Sequence, residues 1–213
     1  MRHRLEAKGP PMRRERENHV TSRRPSPAGR SRCVQSLLLV FLLIALGGLP
    51  SRARADLSET DGRFGISVPG VAWVLAFPSQ GYTLHATRQR ADGRGVYYMF
   101  VHARTGLNAS VFLEPATACQ TALACRDYYW EHRDASMSTA QGVARFERNG
   151  FALLEFLIPE LAGQPIQQYH VSGHLVRDGY WIDLHLSKVL YSPPDRQHFL
   201  NFVDGLAILP KAK

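Results

Sequence analysis

The stretch that decides the fold is HVSGHLVRDGYWIDLHLSK, residues 170–188. Asp178-Gly179 stands at its centre, and both middle residues of a type I′ turn need positive φ, which this dipeptide supplies at little cost. A two-residue turn there fixes the register of a hairpin. Val176 faces Trp181, His174 faces Asp183, Ser172 faces His185 and His170 faces Ser187. Because side chains alternate along a strand, these eight share one face, while Val171, Gly173, Leu175, Ile182, Leu184 and Leu186 share the other. The second set is the core face. The first is polar, and its expected state is the solvated side of an antiparallel sheet, with a cleft roofed by the helix over 121–135 as the alternative.

Working outward, Asp92-Gly93 and Asn149-Gly150 give the same hairpin signal. Short strands are expected around Phe64, Ile66 and Val68 and over 73–77, followed by strands over 82–90, 95–103 and 107–114. After a helix come four more, over 143–148, 151–158, 165–176 and 180–191, with a loop at 159–163. Across Asp92-Gly93 the register places Thr87 opposite Tyr98, His85 opposite Phe100 and Thr83 opposite His102. Tyr97-Tyr98 and Tyr128-Tyr129-Trp130 read as core and lip residues.

Two helices interrupt the strands. Cys125, Tyr128, Tyr129 and His132 recur at i, i+3, i+4 and i+7, which makes an amphipathic helix over 121–135 with Thr121 as its N-cap. Ser192-Pro193-Pro194-Asp195 opens the second, whose apolar face is Phe199, Phe202, Val203 and Leu206. Runs of strands broken by helices, rather than alternating βα units, give an α+β class. The expected form is an antiparallel sheet meander of hairpins with two main helices packed on it.

This order resembles the PsbP-like family, extrinsic α/β/α proteins of the thylakoid lumen and bacterial periplasm. The resemblance is carried by Phe64-Gly65-Ile66-Ser67-Val68-Pro69 followed by Trp73, by Asn108-Ala109-Ser110-Val111-Phe112-Leu113-Glu114, and by the closing helix around Phe199 and Phe202. It implies a small, non-catalytic accessory or binding domain outside the cytoplasm. No family metal or partner residue carries over to this chain.

Export is read independently from the first third. Residues 36–46 are an apolar run, short of the roughly 20 residues of a spanning helix, and Ala53-Arg54-Ala55 offers the small residues of a signal-peptidase site. Residues 1–55 are therefore expected to be a basic leader and cleavable signal peptide, with a single domain over 56–213. An uncleaved membrane anchor is the alternative, and Met12 or a later residue is an alternative start. Periplasmic or secreted localisation follows, with no stable membrane span after cleavage.

Charge fits this division. Of 26 basic and 18 acidic residues, the first 55 positions hold 12 and 3, leaving 14 and 15 for the remainder. The mature part is near-neutral, so it lacks the basic footprint of a nucleic-acid binder. Its two cysteines, Cys119 and Cys125, are spaced as neither a C-x-x-C redox motif nor a zinc knuckle. In an oxidising compartment they are expected to form a structural disulfide.

The 170–188 face holds what chemistry the sequence offers. Directly opposed residues place Cβ atoms about 4.5–5.5 Å apart, so His174 reaches Asp183 and Ser172 reaches His185. His174, Asp183 and His185 are candidate ligands for a transition metal such as zinc or copper. His170 and Ser187 extend the polar face, with His170 roughly 13 Å along the strand from His174. Ser172 with His185 is a hydrolase pair, but no Gly-x-Ser-x-Gly elbow accompanies it. Three readings follow: a non-enzymatic accessory or binding domain contacting an envelope protein or component, with no cofactor; a metal-binding protein; and a hydrolase. The first accords best with an ordinary hairpin face.

Overall fold

The structure, a computed structural model, describes residues 55–90 and 92–211. The expected leader lies outside them save for Ala55, so its cleavage is a matter of sequence alone. In chain order the elements are β1 (Asp56–Thr60), β2 (Arg63–Ser67), β3 (Trp73–Pro78), β4 (Tyr82–Gln89), β5 (Val96–His102) and β6 (Asn108–Pro115). Then come α1 (Ala122–Glu131), β7 (Gln141–Arg148), β8 (Phe151–Leu161), β9 (Gln164–Arg177), β10 (Tyr180–Lys188), α2 (Arg196–Asp204) and β11 (Ala207–Pro210). No helix among the described residues is long and apolar enough to cross a membrane.

The strands form two antiparallel sheets, not the one expected: β1-β2-β3-β11, and β4-β5-β6-β10-β9-β8-β7. The small sheet rests on two strands that the hydrophobic pattern does not reveal. β1, DLSET, is almost wholly exposed, and β11 is four residues long. Its first hairpin still carried a signal, since Asp61 and Gly62 both take positive φ in a turn like those at Asn149-Gly150 and Asp178-Gly179.

The deciding hairpin pairs as its turn dictates: Val176 with Trp181, His174 with Asp183, Ser172 with His185 and His170 with Ser187. Its apolar face faces the small sheet across a common core. Phe64 and Phe77 of the small sheet meet Phe100 of the large one at ring-centroid distances of 4.8 and 5.1 Å, and Phe202 of α2 meets Phe77 at 5.6 Å. Phe77, Phe100 and Phe199 are fully buried, and each such burial stabilises by about 2–3 kcal/mol. Gly173 lets Leu153 pack closely on β9, where a Cβ would come within 2.9 Å of Leu153 Cδ2.

Polar bonds hold α2 to the large sheet. Arg148 binds Asp204 through two contacts of 2.5 and 2.6 Å, Arg196 binds Glu155 at 3.0 and 3.1 Å, and Asn149 Nδ2 donates to the carbonyls of Val203 and Leu206. The 3-10 turn Pro193–Asp195 that leads into α2 is fixed by Asp195, which accepts from the Ser192 backbone and from Lys188 Nζ.

The β4–β5 hairpin departs from expectation. Arg90 N donates to Gly95 O, so the loop spans four residues instead of a two-residue Asp92-Gly93 turn. Thr87 still faces Tyr98, but a register shift between Leu84 and Ala86 places Leu84, not His85, opposite Phe100 and moves Thr83 to Val101. A bulge adds a residue to one strand and so changes the face of everything beyond it.

Candidate functional site

The polar face of the 170–188 hairpin is not wet. α1 lies on β8 and β9, and its placement starts from two local features. Thr121 Oγ1 accepts from Ala124 N at 3.2 Å, capping the first turn, and the Cys119–Cys125 disulfide, Cα–Cα 5.0 Å, ties that turn to the segment before it. Cys125 is buried with Trp181 and Ala116. From there the helix lays Tyr128 edge-on to Trp181, Tyr129 against His174 at 5.1 Å and Trp130 against Phe156 at 5.4 Å. Ser172 and His174 have no exposed surface, and His170 retains 4 %. His132, expected on the buried stripe, is exposed because the helix ends at Glu131.

Burial sets the protonation of this roofed half. Trp181 Nε1 donates to His174 Nδ1 at 3.3 Å, which makes that nitrogen an acceptor and the ring neutral. Desolvation, reinforced by the nearby Arg126 charge, holds His174 down at about 3. Asp183 Oδ1 lies 3.4 Å from the same nitrogen. Desolvation, with Glu114 adding to it, pushes its carboxyl up to about 7, so below neutral pH the two meet as a neutral pair. His170 Nδ1 and His185 Nε2 are 2.8 Å apart, one donating and the other accepting. Burial lowers these rings to about 3 and about 4, and His170 is stacked on Phe156 while meeting His185 edge to edge. Burial also raises the Tyr129 phenol, which the adjacent Ser172 hydroxyl partly offsets.

The candidate residues thus pair differently from expectation. His174 meets Asp183 and Trp181, whereas His185 meets His170. Among the described residues no group of three His, Cys, Asp or Glu side chains is arranged to hold a metal ion. His170 Nε2, His174 Nε2 and Asp183 Oδ1 are nevertheless buried without hydrogen-bond partners. Ser172 is sealed beneath α1 and His185 Nε2 is engaged by His170, so this pair is not presented to a hydrolase substrate. Ser187 is 7 % exposed beside them.

The other half of the same face is open. Over β4, β5 and β6 lies a groove of about 520 Å³, lined by Arg88, Arg90, Tyr97, Ser110, Phe112, Glu114 and His185. Ser110 faces His185 and Phe112 faces Asp183 in the β6–β10 register, so the groove floor runs directly into the roofed cluster. Tyr97 and Phe112 pack at 4.4 Å, Tyr97 Oη and Ser110 Oγ share a hydrogen bond of 3.2 Å, and Phe112 is 43 % exposed. Tyr98 is core and Tyr97 is lip, as their residue type suggests. The signal for the groove was Phe112 itself, an aromatic out of phase with Ala109, Val111 and Leu113 on its strand.

No protein-family model and no curated protein matches the chain. The chain is similar to a solved PsbP. That structure is the solution structure of cyanobacterial PsbP (CyanoP) from Synechocystis sp. PCC 6803, with 12% sequence identity, covering 77% of this chain and 99% of that one at a TM-score of 0.43. It bears the name of the family that the sequence resembles, and no residue role is carried from it.

Proposed function

We propose that the protein is an exported, non-enzymatic accessory or binding domain that holds its ligand in the open half of the outer sheet face. The observation that carries this is the groove beside the roof, where Phe112 stands 43 % exposed on an interior strand of the sheet. A mostly apolar concavity with a few converging polar groups is the usual form of a small-molecule site. The Cys119–Cys125 pair supports an oxidising compartment, and so export. An envelope component is the class of partner this location brings into reach.

The test is saturable binding of phenylnaphthylamine, an uncharged fluorescent aromatic. Native protein is expected to bind about one equivalent, with affinity reduced roughly tenfold or more by Phe112→Ser, which removes an aromatic contact. Leu190→Ser, at an exposed apolar residue outside the groove, serves as the control and should leave binding unchanged. Equal loss in both variants, or no saturable binding, would refute the reading.

The second reading is metal binding in the roofed half through His174, Asp183 and His185. The buried His174 Nε2 and Asp183 Oδ1, which lack partners, favour it, and it requires His185 Nε2 to leave His170.

A further inference from the structure

The groove rim carries two guanidinium groups in different situations. Arg90 is committed: Nη1 donates to Glu114 Oε2 at 2.6 Å, and Nε lies 3.6 Å from Asp92. Its stem runs across Gly95, where a Cβ would collide with the Arg90 side chain, so glycine is needed there to let the arginine lie flat. Arg90 and Glu114 thereby form a wall whose charges cancel. Arg88 lies on the same strand face as Arg90 and faces Tyr97 in the register, with no hydrogen bond or ion pair to another described residue.

The floor adds no charge to offset Arg88. His185, bonded to His170 behind the floor, is held neutral by burial, and Ser110 and Tyr97 contribute hydroxyls bonded to each other. The groove is therefore an aromatic surface with one uncompensated positive charge at its outer edge. Arg88, Tyr97 and Phe112 stand side by side on β4, β5 and β6. At about 4.8 Å between strands, the Cα atoms of Arg88 and Phe112 are about 10 Å apart, a span that a two-ring molecule carrying one anionic group can bridge.

We infer that the groove takes a small organic anion with a flat apolar body, its rings on Tyr97 and Phe112 and its carboxylate, sulfonate or phosphate on Arg88. This rests on the binding reading above and adds the chemical class. A guanidinium pairs planar oxyanions through two parallel N–H donors, and the aromatic pair offers a face on which a ring stacks.

Anilinonaphthalenesulfonate and phenylnaphthylamine share a ring skeleton and differ in the sulfonate, so together they separate charge from stacking. Both are titrated by fluorescence into native protein, Arg88→Gln and Phe112→Ser at low ionic strength. Arg88 is exposed on an edge strand, so its replacement leaves the core untouched. Arg88→Gln is expected to weaken the sulfonate probe roughly five- to tenfold while moving the uncharged probe by less than about twofold, the pattern of a lost charge-assisted bond. Phe112→Ser is expected to weaken both. If Phe112→Ser weakens both but Arg88→Gln moves neither probe, or both equally, the anion inference is overturned while the binding reading stands. If Phe112→Ser affects neither probe, the binding reading falls and takes the inference with it.

Discussion

Acidifying the protein should destabilise it, and the roofed histidines set the sign. His170 and His174 are held at about 3 against an ordinary 6.5. Below 6.5 the unfolded chain binds protons that the folded chain refuses, so stability is lost as pH falls toward the folded value. Each group's slope approaches about 1.4 kcal/mol per pH unit as the unfolded histidine fills with protons, so between about pH 6.5 and about pH 5 the two together cost about 3 kcal/mol. Asp183 acts in the opposite sense. Its folded value of about 7 stands above its ordinary 3.8, so in that window the folded chain keeps a proton that the unfolded chain has released. Acidification therefore returns about 2 kcal/mol over the same interval. His185, at about 4 in the folded chain, works with the other histidines and adds up to about 2 kcal/mol. The net expectation is a loss of about 1–3 kcal/mol, a sizeable share of a total stability of about 5–15 kcal/mol.

Urea unfolding followed across that pH range measures it directly. His170→Phe sharpens the test, because the new ring can keep the stack on Phe156 while removing one titrating group. The variant should lower the pH slope by about 1.4 kcal/mol per unit. A stability that is flat or rises on acidification, or a His170→Phe variant with the full slope, would refute the assignment of buried neutral histidines.

Two further outcomes are expected. Asn149→Ala loses both bonds to the carbonyls at the end of α2 and places Ala at a φ of 50°, so thermal unfolding should show a loss of about 2–3 kcal/mol, with Asn149→Gly losing less. Mass spectrometry of untagged protein decides the metal reading: about one equivalent of zinc or copper, lost in a His174→Ala, His185→Ala variant, would establish it, and no bound metal would remove it.

What the sequence made legible follows from how local each signal is. The register of β9 and β10 is set by one turn, so Asp178-Gly179 placed His174 opposite Asp183 correctly. Thr121 capped α1 because its hydroxyl reaches only three residues forward. The roof was not legible, because nothing in His170, Ser172 or His174 records that Tyr129 and Trp130, some 40 residues earlier, will cover them. Ser, His and Asp suit a wet sheet face and a roofed one alike, so composition does not decide between them. The groove escaped for a related reason: its walls come from β4, β5 and β6, and their neighbour β10 joins them only through the long-range β6–β10 pairing.

Geometry explains why the outer face divides into a sealed half and an open one. α1 has 10 residues, hence a length of about 15 Å and a width of about 10 Å. Strands repeat at about 4.8 Å, so a single helix covers two or three of them. The sheet has seven strands. The disulfide at the start of α1 fixes which strands are covered, since Cys125 packs with Trp181 and the following residues run over His174 and Phe156. β8 and β9 are therefore roofed, and β4, β5 and β6 are left bare. A bare sheet face with no function is ordinarily polar throughout. Here it carries Tyr97 and Phe112, with Ser110 between them and the neutral His185 at the border. The roofed cluster thus acts as a rigid back wall. It holds His185 uncharged at the floor, so the only charge that a ligand meets without an internal partner is that of Arg88.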